Sequence, residues 1–141
     1  MFTNSQKETL DFGKKLAKTL KPGDIIGLKG DLGAGKTVLT KGIASGLGIK
    51  KTVNSPTFVV MKVYPLKQKN IKNLIHIDAY RIKNSNDFQT IGIEEYLEEN
   101  NNIIIIEWID NIKTKLPKKI KYIDIKYIDK DKREICLLDS L

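Results

Sequence analysis

Apolar residues recur at helical spacing in some stretches of the chain and cluster into short continuous runs in others, which predicts alternating helices and buried strands. Leu10, Gly13, Leu16, Ala17 and Leu20 fall on one helical face behind Ser5-Gln6-Lys7-Glu8, which has the form of a capping box. Lys21-Pro22-Gly23 stops that helix. Asp24 leads into a short apolar strand, Ile25-Ile26-Gly27-Leu28. A second helix is predicted from near Lys36, with Val38, Leu39, Ile43, Ala44 and Leu47 on its inner face and its end at Gly48. After the turn Asn54-Ser55-Pro56-Thr57, Phe58 to Tyr64 reads as a strand, and the polar stretch Lys67-Gln68-Lys69-Asn70 turns the chain back into a strand at Leu74 to Ile77. A helix is expected over Asp87 to Glu99, carrying Phe88, Ile91, Ile93, Tyr96 and Leu97. Ile103 to Ile106 is continuous and β-branched, as in a strand covered on both faces. Two more strands are expected near Lys119 to Asp129 and Arg133 to Leu138. No repeat, linker or low-complexity tail interrupts the series, so residues 1–141 read as one α/β domain.

Composition adjusts this picture only slightly. Hydrophobic content of 40% and charged content of 30% are ordinary for a globular protein. The net charge of +8 invites a nucleic-acid partner. However, all of the basic residues except Arg81 and Arg133 are lysine, and Ile and Asn are abundant. Coding from an A/T-rich genome, with lysine spread over solvated faces, is the better reading. The sole cysteine, Cys136, excludes an internal disulfide and a cluster of cysteine metal ligands. Within Ile135-Cys136-Leu137-Leu138 it reads as a small buried hydrophobe. The first residues lack a signal-peptide core, and the run Ile103 to Ile106 is far too short to span a bilayer, so a cytoplasmic protein without membrane contact is expected.

Candidate chemistry changes the picture most. Gly30-Asp31-Leu32-Gly33-Ala34-Gly35-Lys36-Thr37 matches G-x-x-x-x-G-K-[ST] in full, after an apolar strand and before a helix. Glycines let successive backbone N–H groups point into one concavity that cradles phosphate oxygens, and the helix N-terminus adds partial positive charge. Lys36 would reach the β- and γ-phosphates of ATP, and the Thr37 hydroxyl would ligate Mg2+. Hydrolysis also needs a carboxylate to organise metal and water. Glu107 and Asp78 both sit at the ends of apolar strands, where each is either that acid or a surface cap.

Other residues admit two readings. Trp108, the only tryptophan, is either core or a shield beside the active-site acid. His76, the only histidine, is better read as a packed or hydrogen-bonded residue than as a ligand. Arg81 offers a guanidinium for phosphate, or for a structural carboxylate pair.

Taken together, Gly30 to Thr37, Ser55-Pro56-Thr57-Phe58, His76-Ile77-Asp78-Ala79-Tyr80-Arg81 and Glu107-Trp108 resemble, in order and spacing, the TsaE family of bacterial ATPases needed to make threonylcarbamoyladenosine in tRNA. The resemblance covers nearly the whole chain. It implies a P-loop NTPase three-layer sandwich with a mixed, largely parallel central sheet flanked by helices. It further implies slow Mg-ATP hydrolysis in concert with a TsaD–TsaB heterodimer, which transfers the threonylcarbamoyl group to the adenosine beside the anticodon. Contact with tRNA would be indirect, through that complex. By the same resemblance Lys36 contacts phosphate, Thr37 and Glu107 hold Mg2+, and Asp78 supports hydrolysis. The catalytic set is then Asp78, Glu107 and Lys36. The nucleotide set is Asp31, Leu32, Gly33, Ala34, Gly35, Lys36, Thr37 and Val38, with Thr57 in a loop that senses the γ-phosphate. The resemblance also implies that Thr9 would lie near the adenine and that Arg133 would contact nucleotide. Two positions depart from the family pattern: Val38 replaces a common second Thr, and Ile109-Asp110 follows Trp108 where Glu or Pro is common.

Rival functions are less well supported by the residues. A small-molecule kinase on a P-loop fold needs a lid and usually several arginines, whereas this chain has two arginines and no long insertion. A GTPase would carry an N-K-x-D guanine signature, which is missing. A nucleic-acid binder would carry a recognition module, and none is evident.

Overall fold

The computed structural model describes residues 1–54, 60–68, 70–112, 116 and 119–138. Seven strands form one sheet: β1 (Phe2–Thr3), β2 (Ile25–Lys29), β3 (Met61–Pro65), β4 (Asn73–Asp78), β5 (Asn102–Glu107), β6 (Ile120–Tyr127) and β7 (Arg133–Leu138). Their spatial order is β1-β7-β6-β2-β5-β4-β3. The centre, β6-β2-β5-β4, is parallel, while β3 and the pair β7 and β1 add antiparallel edges. The fold is therefore a mixed, largely parallel α/β sandwich. Strands β2, β4 and β5 are covered on both faces, which explains their near-continuous apolar runs: every residue of β5 is buried.

Helices α1 (Gln6–Ala17) and α2 (Lys36–Gly46) cover one face, packing Ala17, Leu39 and Ile43 against Ile26, Leu28, Leu74, Ile103 and Ile105. Two short helices, α3 (Ser85–Thr90) and α4 (Ile93–Glu98), cover the other, where Phe88, Ile93 and Leu97 meet Ile75, Ile77, Ile104 and Ile106. Each fully buried isoleucine or leucine contributes roughly 1.5–3 kcal/mol relative to exposure. The two stacked faces are thus the main source of stability. The Ser5 hydroxyl caps α1 by accepting the Glu8 N–H at 3.1 Å. The Glu8 carboxylate returns to the Asn4 N–H at 2.7 Å, one residue earlier than a strict capping box.

Several expectations need correction. The helix foreseen over Asp87 to Glu99 is two helices, because Gly92 adopts φ 80° and turns the chain between them. The second helix stops at Gly46, with Leu47 as its cap, rather than at Gly48. Val38 is not on its inner face but half-buried at a cavity wall. Cys136 is likewise only half-buried, since β7 alternates and β1 pairs only with its first residues. The strand expected from Phe58 is described only over Met61–Pro65; Phe58, Val59 and the Ser55-Pro56-Thr57 turn lie outside the described residues. Strand β1 and a single 3-10 turn at Ile109–Asn111 carry too few residues to leave a periodic signal.

Candidate functional site

The glycine-rich loop joins the end of β2 to the start of α2. At Gly30 the loop passes so close to the Ile125 carbonyl on β6 that a Cβ there would collide with it. The Ala34 N–H closes a turn onto the Asp31 carbonyl at 3.0 Å. Gly35, with φ 109°, precedes α2 and offers no side-chain cap, and the first turn of α2 carries no acid. The positive end of this helix therefore faces the loop without a side-chain cap of its own. Asp31, Leu32 and Gly33 are exposed at the tip, whereas Ala34 is buried.

Lys36 is only 5% exposed. Its Nζ donates to the Gly30 carbonyl at 2.6 Å and to the Asp31 carbonyl at 2.8 Å, and lies 3.9 Å from the centre of the Trp108 ring. Burial pushes this ammonium below the ordinary lysine value, opposed by the charges of Glu107, Asp78, Asp31 and Asp110. A desolvated cation held by neutral carbonyls and a ring face has much to gain from an anionic partner. Trp108 reaches this position with a left-handed backbone, φ 59°, and its ring meets that of Tyr80 at 4.9 Å. Trp108 is half-buried, so it combines both readings: it packs against the core below and covers Lys36 above.

The acids come from adjacent parallel strands. Asp78 and Glu107 are register partners at the ends of β4 and β5, on the loop side of the sheet. Glu107 is 2% exposed, and three side chains surround its carboxylate. The Thr37 hydroxyl donates to Oε2 at 3.2 Å, while Oε1 meets the Thr40 hydroxyl at 3.2 Å and His76 Nε2 at 2.9 Å. Asp78 is half-buried and accepts the Tyr80 N–H at 3.0 Å. His76 is thus hydrogen-bonded, as expected, but to the candidate metal ligand itself. Neither the pairing of His76 with Glu107 nor the part of Thr40 was foreseen from sequence. A signal existed: His76 and Asp78 share one face of β4, and Thr37 and Thr40 share one side of α2. Arg81 is exposed.

Beside the loop lies a cavity of about 310 Å³ lined by Gln6, Thr9, Gly35, Val38, Lys130, Asp131 and Arg133. It brings Thr9, Val38 and Arg133 together from α1, α2 and β7, although they are distant in sequence. Thr9 is buried, its hydroxyl 2.7 Å from that of Thr3. The Arg133 guanidinium is largely spent on main chain. Its Nε donates to the Ala34 carbonyl at 2.9 Å and its Nη1 to the Asp129 carbonyl at 2.6 Å. It also stacks over Tyr127, at 4.7 Å from the ring centre. Arg133 therefore ties the β6–β7 turn to the glycine-rich loop.

The donor set fits a magnesium nucleotide. Mg2+ favours hard oxygens and is usually held by one or two carboxylates plus substrate phosphates rather than by a protein cage. Thr37 and Glu107 supply such oxygens side by side, and among the described residues no cluster of three or more His, Cys, Asp or Glu could form a cage.

Strand, glycine loop and helix at the edge of a largely parallel sheet, with two acids on neighbouring strand ends, define an α/β protein of P-loop architecture. The model of the family described as threonylcarbamoyl adenosine biosynthesis protein TsaE matches residues 3–135, and the chain belongs to the TsaE family. It is 41% identical over 133 residues to the tRNA threonylcarbamoyladenosine biosynthesis protein TsaE of Bacillus subtilis, covering 94% of this chain and 80% of that relative. It is 43% identical over 131 residues to the Rickettsia typhi protein of the same name, covering 92% and 88%. The crystal structure of Bacillus subtilis YdiB superposes with a TM-score of 0.77 at 36% identity, over 97% of this chain and 82% of the other.

Proposed function

We propose that this chain binds Mg-ATP on Gly30 to Thr37 and hydrolyses it slowly, as the ATPase that acts with a TsaD–TsaB heterodimer in forming threonylcarbamoyladenosine on tRNA. Membership of the TsaE family supports the pathway. The observation that carries the chemistry is the convergence of Lys36, Thr37, Glu107 and Asp78 at one loop: Thr37 and Glu107 are 3.2 Å apart, and Asp78 is the register partner of Glu107.

In this reading Lys36 exchanges the Gly30 and Asp31 carbonyls for phosphate oxygens, and the backbone N–H groups at the start of α2 hold the same anion. Thr37 and Glu107 would hold the metal, which would supply neutralisation of phosphate charge when bound. Asp78, the more accessible acid, orients the attacking water. Thr9, Gly35, Val38 and Arg133 line the base side, with Arg133 acting mainly by fixing the loop carbonyl at Ala34. A TsaD–TsaB partner completes the site and makes turnover partner-dependent, with tRNA engaged only through that complex.

The test is ATP binding and single-turnover hydrolysis by the purified chain. Lys36→Ala should lose nucleotide binding, whereas Asp78→Ala and Glu107→Ala should lose hydrolysis by about 100-fold or more while binding is less affected. Full hydrolysis by Glu107→Ala would remove its metal role. Transfer of the γ-phosphate to a small acceptor would favour a kinase instead.

A further inference from the structure

We infer that His76, assisted by Thr40, is a positioning residue that fixes the orientation of the Glu107 carboxylate, so that one oxygen is held from behind and the other faces the metal. The inference rests on the Mg-nucleotide reading above and deepens it. Glu107 has two carboxylate oxygens with different partners. Oε2 meets only the Thr37 hydroxyl among the described contacts, at 3.2 Å, whereas Oε1 meets His76 Nε2 at 2.9 Å and the Thr40 hydroxyl at 3.2 Å. One oxygen is thus engaged from behind, and the other is left beside the residue that would share the metal.

The two rear donors are not equal. The Thr40 hydroxyl has a single proton and a competing acceptor, the Lys36 carbonyl one helical turn back, at 3.0 Å. The His76 ring has no such competitor. Its Nε2 faces Glu107, and its Nδ1 is buried with no hydrogen-bond partner among the described residues. A fully buried ring that leaves one nitrogen unpaired is a costly way to fill space between apolar neighbours. A leucine would fill it without that cost, so the bond to Glu107 is what the imidazole adds. His76 lies two residues before Asp78 on β4, and its register partner Ile105 lies two residues before Glu107 on β5. The period of the strands places it directly behind the acids rather than among the reacting atoms. It acts through Glu107.

Mn2+ titrated into the chain with ATP and followed by electron paramagnetic resonance reads this role without turnover. Calorimetric ATP binding in excess chelator reports the metal-independent part, and circular dichroism reports folding. His76→Leu should weaken Mn2+ uptake by about 10-fold or more, the usual consequence of losing an outer partner of a metal ligand, with chelator-side ATP binding within about twofold. His76→Gln, whose amide N–H extends as far as Nε2, should recover most of that loss. Thr40→Val should show a smaller loss than His76→Leu. If the leucine variant does not fold, His76→Asn, whose amide stops short of Oε1, takes its place. Wild-type Mn2+ uptake in a folded His76→Leu or His76→Asn protein would overturn the inference, as would a Gln variant no better than either. A wild-type chain that takes up no Mn2+ with ATP removes the Mg-nucleotide reading itself, which is a separate failure.

Discussion

Lys36 holds the most revealing position of any single residue. Its ammonium is stripped of water and held by two loop carbonyls beneath the Trp108 ring, an arrangement in which the loop satisfies its own cation. Phosphate binding should draw Lys36 away from both, and Trp108 is the only tryptophan in the chain. Intrinsic fluorescence should therefore change on addition of Mg-ATP, and the change should disappear in Lys36→Ala. An unaltered signal in the wild-type chain at saturating ATP would contradict this account of the loop. Gly30→Ala makes a complementary prediction. The added Cβ would meet the Ile125 carbonyl at a backbone φ of 146°, so the variant should lose about 1–3 kcal/mol in denaturant unfolding together with nucleotide affinity. At this scale the sequence was informative wherever chemistry is written as a contiguous motif. Gly30 to Thr37 and the acids Asp78 and Glu107 were legible because the loop and the strand ends each have a local signature. The link from Thr40 and His76 to Glu107 was not, because spacing shows only that His76 shares a face with Asp78 and Thr40 a side with Thr37, while the hydrogen bonds themselves depend on how α2, β4 and β5 pack. Arg133 was legible as a residue of interest but not as a brace, since its acceptors are main-chain carbonyls that any sequence supplies.

Among elements, α1 and α2 pack closely because glycines meet small residues. A Cβ on Gly13 would come within 2.7 Å of the Leu39 carbonyl, and one on Gly46 within 2.6 Å of the Ala17 Cβ. Gly42→Ala would drive a methyl group into the Leu10 carbonyl, with no flexible side chain to yield. Overpacking of this kind costs about 1–3 kcal/mol, so a fall in unfolding free energy of that size is expected, with Thr9 drawn away from the cavity and ATP affinity reduced. Stability equal to wild type would show that the helices can separate freely. At the start of β5, the Asn102 side chain donates to Glu99, and Lys72 pairs with it at 3.3 Å. The Asn102 hydrogen bond, then the lysine, hold the Glu99 carboxyl below the ordinary value of 4.5. A lowered folded value means that the stabilisation is present above the unfolded value and is lost as pH falls through the folded one. The melting-temperature gap between wild type and Glu99→Gln should accordingly narrow as the solution is acidified from neutral pH to below that range. A gap independent of pH would contradict the assignment. Helix periodicity was legible for α1 and α2, yet the same periodicity ran across Gly92 and joined α3 to α4, because spacing alone does not register a positive φ.

Across the whole molecule, the N-terminal strand β1 pairs with the first residues of β7 at the cavity side of the site. The Met1 amine donates to the Ile135 carbonyl at 2.9 Å and the Ile135 N–H to the Met1 carbonyl at 2.8 Å, which seats β1 on β7. That edge brings Thr9 and Arg133 into the lining of one cavity next to the glycine-rich loop. Order along the chain therefore gave the sheet and the loop, but only closure of this edge assembles the cavity beside them. Among the described residues no helix is long and apolar enough to cross a membrane. The central claim is a partner-dependent ATPase of tRNA modification, and it is tested most directly by ATP turnover of the purified chain, alone and with its cognate TsaD–TsaB pair, with Lys36→Ala alongside. Slow turnover alone, altered by the pair and abolished in Lys36→Ala, is the predicted result. Turnover indifferent to the pair, or surviving in Lys36→Ala, would contradict it.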